Sequence, residues 1–165
     1  RLRVDFADSD TVIEQRLSMS IREVFEREGE AHFRDVEQSV IDEFTAKRSG
    51  VLATGGGVVL AEANRKSLHE RSVVVYLKAT PRDLLRRLRF DSKRPLLQVS
   101  DPLERLRQLY TERDPLYRST AHFVVETGRP SVSMLVNLIL MQLELVGAID
   151  PERVPSPVDR PSLGP

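Results

Sequence analysis

The sequence predicts an α/β domain built on a parallel sheet, and three observations carry that expectation. The run Ser72-Val-Val-Val-Tyr-Leu77 is continuous and β-branched, as a strand buried on both faces requires. Strand-like segments alternate with amphipathic helical ones along the chain. Helices are also announced by capping devices: Ser20-Ile-Arg-Glu23 is a capping box, while Thr80-Pro81-Arg-Asp83 and Asp101-Pro102-Leu-Glu104 place proline at a first helical position.

In chain order, the apolar alternation at Val4 and Phe6 reads as a strand ending in a polar turn at Asp8-Ser9-Asp10. The capping box at Ser20 opens a short helix that Gly29 should end. Phe33, Val36, Val40, Ile41 and Phe44 then fall at helical spacing and give one apolar stripe, closing near Gly50. Val51-Leu-Ala-Thr is a buried-type strand leading into Gly55-Gly56-Gly57, and a helix over 61–69 fits next. The strand at 72–77 is followed by a helix from Pro81, a basic stretch ending in Arg94-Pro95-Leu96-Leu97, and a helix from Pro102 past Tyr110. His122-Phe-Val-Val-Glu126 is the last strand and 133–145 the last helix. One domain over 1–147 is expected, with a proline-rich tail over 148–165 containing Pro151, Pro155, Pro157, Pro161 and Pro165.

Composition narrows the function. With no cysteine, neither a disulfide framework nor a thiolate metal site can operate. Lys plus Arg and Asp plus Glu are both 25, so net charge gives no reason to expect nucleic acid or an anionic membrane as partner. The sign is uneven, however: Arg82, Arg86, Arg87, Arg89, Lys93 and Arg94 crowd the stretch 82–94, a pattern suited to a small polyanion. His32, His69 and His122 lack zinc-site spacing.

Ligands of open α/β sheets bind beyond the carboxyl ends of the strands, where several candidates fall. Asp8 and Asp10 suit a hard cation or a polarised hydroxyl, although Asp10 alone would serve as a helix N-cap and Asp8 as a solvated turn residue. The glycine triplet calls for positive φ or close backbone approach, a plain flexible turn being the alternative. Arg34, Arg94 and Arg113 are the arginines placed for bidentate recognition of carboxylate or phosphate. Taken singly, Arg34 also reads as an ordinary surface arginine. Arg94 precedes a stiffening proline, as in a lid, and Arg113 lies between Tyr110 and Tyr117, which would wall a site.

Together these segments resemble the shikimate kinase family. The matching pieces are Asp8-Ser-Asp10 with Ile13-Glu14, Ser20-Ile21 with Phe25, Gly29-Glu30 with Phe33-Arg34 and Glu37, Gly55-Gly56-Gly57, Arg94-Pro95-Leu96-Leu97, and Arg113 with Leu116-Tyr117. The resemblance covers about residues 4–146. It implies a P-loop kinase-like three-layer α/β/α fold and transfer of the γ-phosphoryl group of ATP, with Mg²⁺, to the 3-hydroxyl of shikimate in aromatic amino-acid (chorismate) biosynthesis. It also implies residue roles. Asp10 and Arg94 would be catalytic, Asp10 as general base. Asp10, Arg34, Gly55, Gly56, Gly57 and Arg113 would bind shikimate, the two arginines through its carboxylate. Arg94, Arg87 and Arg129 would bind the nucleotide, and Asp8 would help hold Mg²⁺ through water. A cytoplasmic monomer with small-molecule partners is expected.

One departure stands out. No Gly-x-x-x-x-Gly-Lys-[Ser/Thr] occurs, and Val58-Val59-Leu60 follows the triplet with neither lysine nor hydroxyl at the required place. The expectation is therefore a fold lacking its first strand, P-loop and first helix. That strand would lie between the strands at 51–54 and 72–77, and the 165-residue chain alone would transfer phosphate poorly. Two alternatives are a non-catalytic relative that binds without using ATP, and a kinase for another polyol acid such as gluconate.

Overall fold

The computed structural model describes residues 2–47, 50–88, 100–128 and 130–150. Among the described residues, four short strands and seven α-helices alternate in the expected order apart from an added helix at 9–17: β1 Phe6–Asp8, α1 Ser9–Leu17, α2 Ile21–Arg27, α3 Gly29–Ala46, β2 Val51–Ala53, α4 Glu62–Arg71, β3 Val75–Lys78, α5 Pro81–Leu88, α6 Pro102–Thr120, β4 Phe123–Glu126 and α7 Val132–Leu145. A 3-10 turn, Val58–Leu60, joins the glycine triplet to α4. No helix among the described residues is long and apolar enough to cross a membrane. Arg94, Arg129, the segment Pro95-Leu96-Leu97 and the proline-rich tail from 151 lie outside the described residues.

Both strand pairs are parallel. β1 pairs with β2 in the register Phe6↔Val51, Ala7↔Leu52 and Asp8↔Ala53. β3 pairs with β4 from Val75↔Phe123 to Lys78↔Glu126. Among the described residues the two pairs are not bonded to each other, so β2 and β3 each keep an unpaired edge. Apolar side chains also stand in solvent on all four strands, at Phe6, Val51, Leu77 and Val124. On α7, Met134, Leu138, Met141 and Leu145 are exposed along one helical stripe.

The expected polar turn at 8–10 is instead the start of α1. Asp8 is the N-cap, its Oδ1 accepting from the amides of Asp10 and Thr11 at 3.0 and 3.1 Å, and Ser9 and Asp10 are already helical. Thus Asp8 is not a solvated turn residue and Asp10 is not the cap. Ile13 is the single buried apolar residue of this helix, so it carries no apolar stripe for periodicity to reveal. Ser18, left-handed at φ 52°, ends it. The capping box of α2 is present in both directions, and Gly29, at φ +84°, breaks α2 from α3.

α3 organises the interior because its two faces serve two clusters. Phe33 and Val40 join Ile13 of α1 and Val24 of α2. One residue on from Val40, Ile41 joins Val58, Val59 and Leu68 beneath α4. Burial of a full aliphatic side chain is worth about 1.5–3 kcal/mol, so these residues fix the helices around the carboxyl ends of β1 and β2.

At the opposite ends of the strands, His69 and His122 stack with centroids 4.5 Å apart and rings 10° from parallel. The His69 Nδ1–H donates to the Thr120 carbonyl at 3.0 Å, whereas His122 Nδ1 accepts from the Val74 amide at 3.1 Å and so must be unprotonated. Burial, and secondarily the proximity of His69, hold His122 below the usual histidine range. A base whose folded pKa is depressed binds fewer protons folded than unfolded. Its stabilising contribution is therefore present above the ordinary value and falls as the pH drops through it. Urea unfolding at about pH 7.5 and about pH 5.5, which bracket the ordinary histidine pKa, should show a loss of stability on acidification. His122→Asn, whose Oδ1 accepts from Val74 at either pH, should reduce that loss.

Candidate functional site

The site is built where β1 and β2 end together. Ser9, fully buried at the first turn of α1, accepts from the Gly55 amide at 3.3 Å and ties the glycine loop to that helix. Each glycine then meets a different polar side chain. A β-carbon on Gly55 would lie 2.9 Å from Asp10 Oδ1, one on Gly56 would lie 3.1 Å from the Tyr117 hydroxyl, and one on Gly57 would lie 2.4 Å from Arg34 Nη1. Among the described glycines positive φ falls at Gly29, Gly50 and Gly147 and not in the triplet. Of the two reasons for three glycines, close approach is the operative one.

Arg34 reaches the loop from α3, and its side chain is 23% exposed, so it is not a plain surface arginine. Nη1 donates to Glu37 Oε2 at 2.8 Å, while Nε and Nη2 donate to Glu30 Oε1 at 3.3 and 3.0 Å. The guanidinium carbon also lies 5.1 Å from the Phe33 ring centroid. Burial acts to lower the Arg34 pKa, but the pairs with Glu37 and Glu30 hold it raised. Glu37 is almost fully buried. That burial pushes its carboxyl above the usual range against the pull of Arg34, with Asp10 adding to the push and Arg113 opposing it. One buried carboxylate thus senses Arg34, Asp10 and Arg113 together.

α6 supplies the opposite wall. Arg113 Nη1 donates to the Gly56 carbonyl at 3.4 Å, the Tyr117 hydroxyl donates to the same oxygen, and Arg113 Nε is buried without a hydrogen-bond partner. Tyr117 stacks on Tyr76 of β3 at 4.8 Å, and Tyr76 donates to Asp114 Oδ1 at 3.0 Å. Burial opposes ionisation of Asp114, but hydrogen bonds from Arg118 and Tyr76 keep its pKa lowered. Pro115 lies within α6 and cannot bond to the Thr111 carbonyl.

A sequence profile described as "Shikimate kinase" matches residues 1–144. The chain belongs to the shikimate kinase family. It is 51% identical over 162 residues to a shikimate kinase of Ralstonia nicotianae, spanning 98% of this chain and 85% of that one. It is 57% identical over 149 residues to one of Burkholderia pseudomallei, spanning 90% and 81%. The shikimate kinase of Acinetobacter baumannii solved in complex with shikimate superimposes with a TM-score of 0.81 at 42% identity, covering 89% of this chain and 82% of that structure. That of Bacteroides thetaiotaomicron gives 0.77 at 28% identity, covering 88% and 85%. Membership makes the chain a phosphotransferase of the P-loop kinase-like α/β class and displaces the gluconate-kinase alternative.

Within this shikimate kinase fold the expected residues divide into groups. Asp10, Arg34, Gly55, Gly56, Gly57 and Arg113 converge on one loop. Arg87 stands apart, with Nη1 donating to Thr127 Oγ1 at 3.2 Å and Nη2 to the Thr127 carbonyl just beyond β4. Arg94 and Arg129 lie outside the described residues. Asp8 spends one oxygen on its cap, and the described residues contain no group of three or more acidic or histidine side chains arranged for a metal. Sequence reasoning gave no role to Ser9 or Glu37. The i,i+3 spacing of Arg34 and Glu37 on one helix was the available signal for the second; nothing marked the first.

The contact at Gly57 yields a test. In Gly57→Ala the new β-carbon must displace the far end of Arg34, which leaves Glu37 buried without its main partner. Unfolding free energy should fall by about 1–3 kcal/mol near neutral pH. The deficit should shrink towards pH 5, because an acid whose folded pKa is raised favours the folded state at low pH. Adding Glu37→Gln should recover part of it in urea titrations.

Proposed function

We propose that the chain holds the acceptor site of a kinase that transfers the γ-phosphoryl group of ATP to the 3-hydroxyl of shikimate. The observation that carries this reading is the orphaned Nε of Arg113, buried beside the glycine loop that Arg34 also reaches. A buried guanidinium edge without an acceptor suits a ligand carboxylate, and two arginines would select for one. Asp10 lies against Gly55, where it would accept the proton of the attacking hydroxyl. The bond from the γ-phosphorus to the β,γ-bridging oxygen breaks, the bond to the acceptor oxygen forms, and ADP leaves. Alignment and charge neutralisation supply most of such catalysis, so these residues act by orienting the acceptor and holding one proton.

Mg²⁺ fits the donor set in a limited way. This ion usually keeps several waters and takes one or two carboxylates with substrate phosphates, so one Asp8 carboxylate with unused lone pairs is compatible although no cluster exists among the described residues. When bound it neutralises phosphate charge. Asp8 would hold it through water, and Arg87, with Arg94 and Arg129, would hold the nucleotide.

We also propose that in the whole protein a strand from outside residues 1–165 lies between β2 and β3 and brings the phosphate-binding loop. Support comes from the two separate parallel pairs, and from apolar side chains left in solvent on every strand and along α7. We place the enzyme in the cytoplasm as a monomer working in aromatic amino-acid biosynthesis. Coupled-assay kinetics of the protein expressed with its upstream codons test the reading. Asp10→Asn should lower kcat by about 10²–10⁴-fold, and Arg34→Ala should raise KM for shikimate with KM for ATP little changed. No phosphorylation of shikimate would refute the activity. Residues 1–165 alone should show little turnover, and full turnover by that fragment would refute the missing strand.

A further inference from the structure

Two donors converge on one backbone oxygen. The Tyr117 hydroxyl makes the shorter bond to the Gly56 carbonyl, and Arg113 Nη1 reaches it at 3.4 Å, near the outer limit of a hydrogen bond. The same guanidinium carries the buried Nε that has no acceptor. We propose that Tyr117 is a positioning residue that satisfies the Gly56 carbonyl and thereby releases Arg113 to turn its guanidinium onto the carboxylate of the acceptor. This rests on the reading of Arg113 as a carboxylate-binding residue given above.

Breaking a hydrogen bond to a carbonyl is costly when nothing replaces it and nearly free when a second donor is already in place. A carbonyl oxygen has two lone pairs, so both donors can sit on it in the resting state and one can leave. Tyr117 is suited to stay. Its ring is fixed by the stack on Tyr76, 4.8 Å away and inclined by 28°. Tyr76 is in turn fixed by Asp114, which accepts from it at 3.0 Å and from Arg118 Nε at 2.7 Å. Burial pushes the Tyr117 phenol upward, with the neighbouring Arg113 pulling the other way, so it remains a protonated donor at neutral pH. The fit around the hydroxyl is tight, since a β-carbon on Gly56 would lie 3.1 Å from it. Holding the Gly56 carbonyl towards α6 also directs the Gly57 N–H the opposite way, because the trans peptide places these groups antiparallel.

Without the hydroxyl, Arg113 would be the donor left on Gly56, and gripping a carboxylate would mean abandoning that oxygen. Calorimetric binding of shikimate and of its methyl ester to the full-length enzyme and to Tyr117→Phe tests this, with thermal melts to confirm that the variant folds. Shikimate should bind about five- to tenfold more weakly to the variant, the effect of one net hydrogen bond. The ester, already lacking the charge that Arg113 would grip, should bind equally to both proteins. In an Arg113→Ala background, Tyr117→Phe should add nothing. Equal losses for acid and ester would mean that Tyr117 merely supports the glycine loop and would overturn the proposal, as would no loss for either. Failure of the unsubstituted enzyme to bind shikimate would instead defeat the carboxylate reading itself, and the two failures are distinguished by that control.

Discussion

Residues 55–57 leave little room for β-carbons, and the arrangement of the site follows from that crowding. Asp10, Tyr117 and Arg34 come from three different helices, yet each approaches one glycine so closely that a methyl group there would be crowded, and at Gly55 and Gly57 would collide. Backbone therefore stands where side chains ordinarily would, and a small polar ligand in this space meets peptide groups as well as charged ones. Ser9 fixes the loop from β1's side and the Tyr117 hydroxyl from the side of α6. The loop needs no left-handed residue in the triplet, because its shape is set by what presses on it.

Glu37 gives this crowded space its electrostatic character. A carboxylate buried beneath a guanidinium would be unstable alone, and its raised pKa records that cost. Its partnership with Arg34 turns the cost into geometry: Nη1 is tied down at 2.8 Å while Glu30 holds the other edge of the fork. Arg34 is pre-oriented by two carboxylates, and Arg113 has a nitrogen without a partner. The two arginines thus contribute differently, one as a fixed cation and the other as a group whose hydrogen bonding is incomplete until something joins it.

Much of this was legible in the sequence, and what was not has identifiable causes. The capping box at Ser20, the proline at the start of α6 and the β-branched run of β3 are local signals, and each produced its element within a few residues. α1 escaped because a nine-residue helix with one buried apolar side chain carries no amphipathic stripe, and its cap, Asp8, reads equally well as a metal or turn residue. The convergence of Asp10, Arg34 and Arg113 could be inferred only from the combination of motifs, since residues so far apart in sequence have no local signature of contact. The burial of Glu37 was illegible for the same reason: only tertiary packing around α3, which meets α1, α2 and α4, removes it from water.

The fold also divides its labour unevenly between the two strand pairs. The β1–β2 pair, with α1, α3 and the glycine loop, holds Asp10, Arg34 and the triplet, which Arg113 joins from α6, and is backed by both apolar clusters. The β3–β4 pair meets Arg87 of α5 at Thr127, just beyond its carboxyl end, and is backed by α7, much of whose apolar stripe faces solvent. Joining the pairs through one more parallel strand, as proposed, would satisfy the unpaired edges of β2 and β3, and the helix such a strand brings with it would offer apolar surface to cover the exposed side chains. It would also set a phosphate-binding loop at the carboxyl ends of the strands, between the acceptor loop and Arg87. On that proposal, sheet completion and completion of the active site would be one structural event.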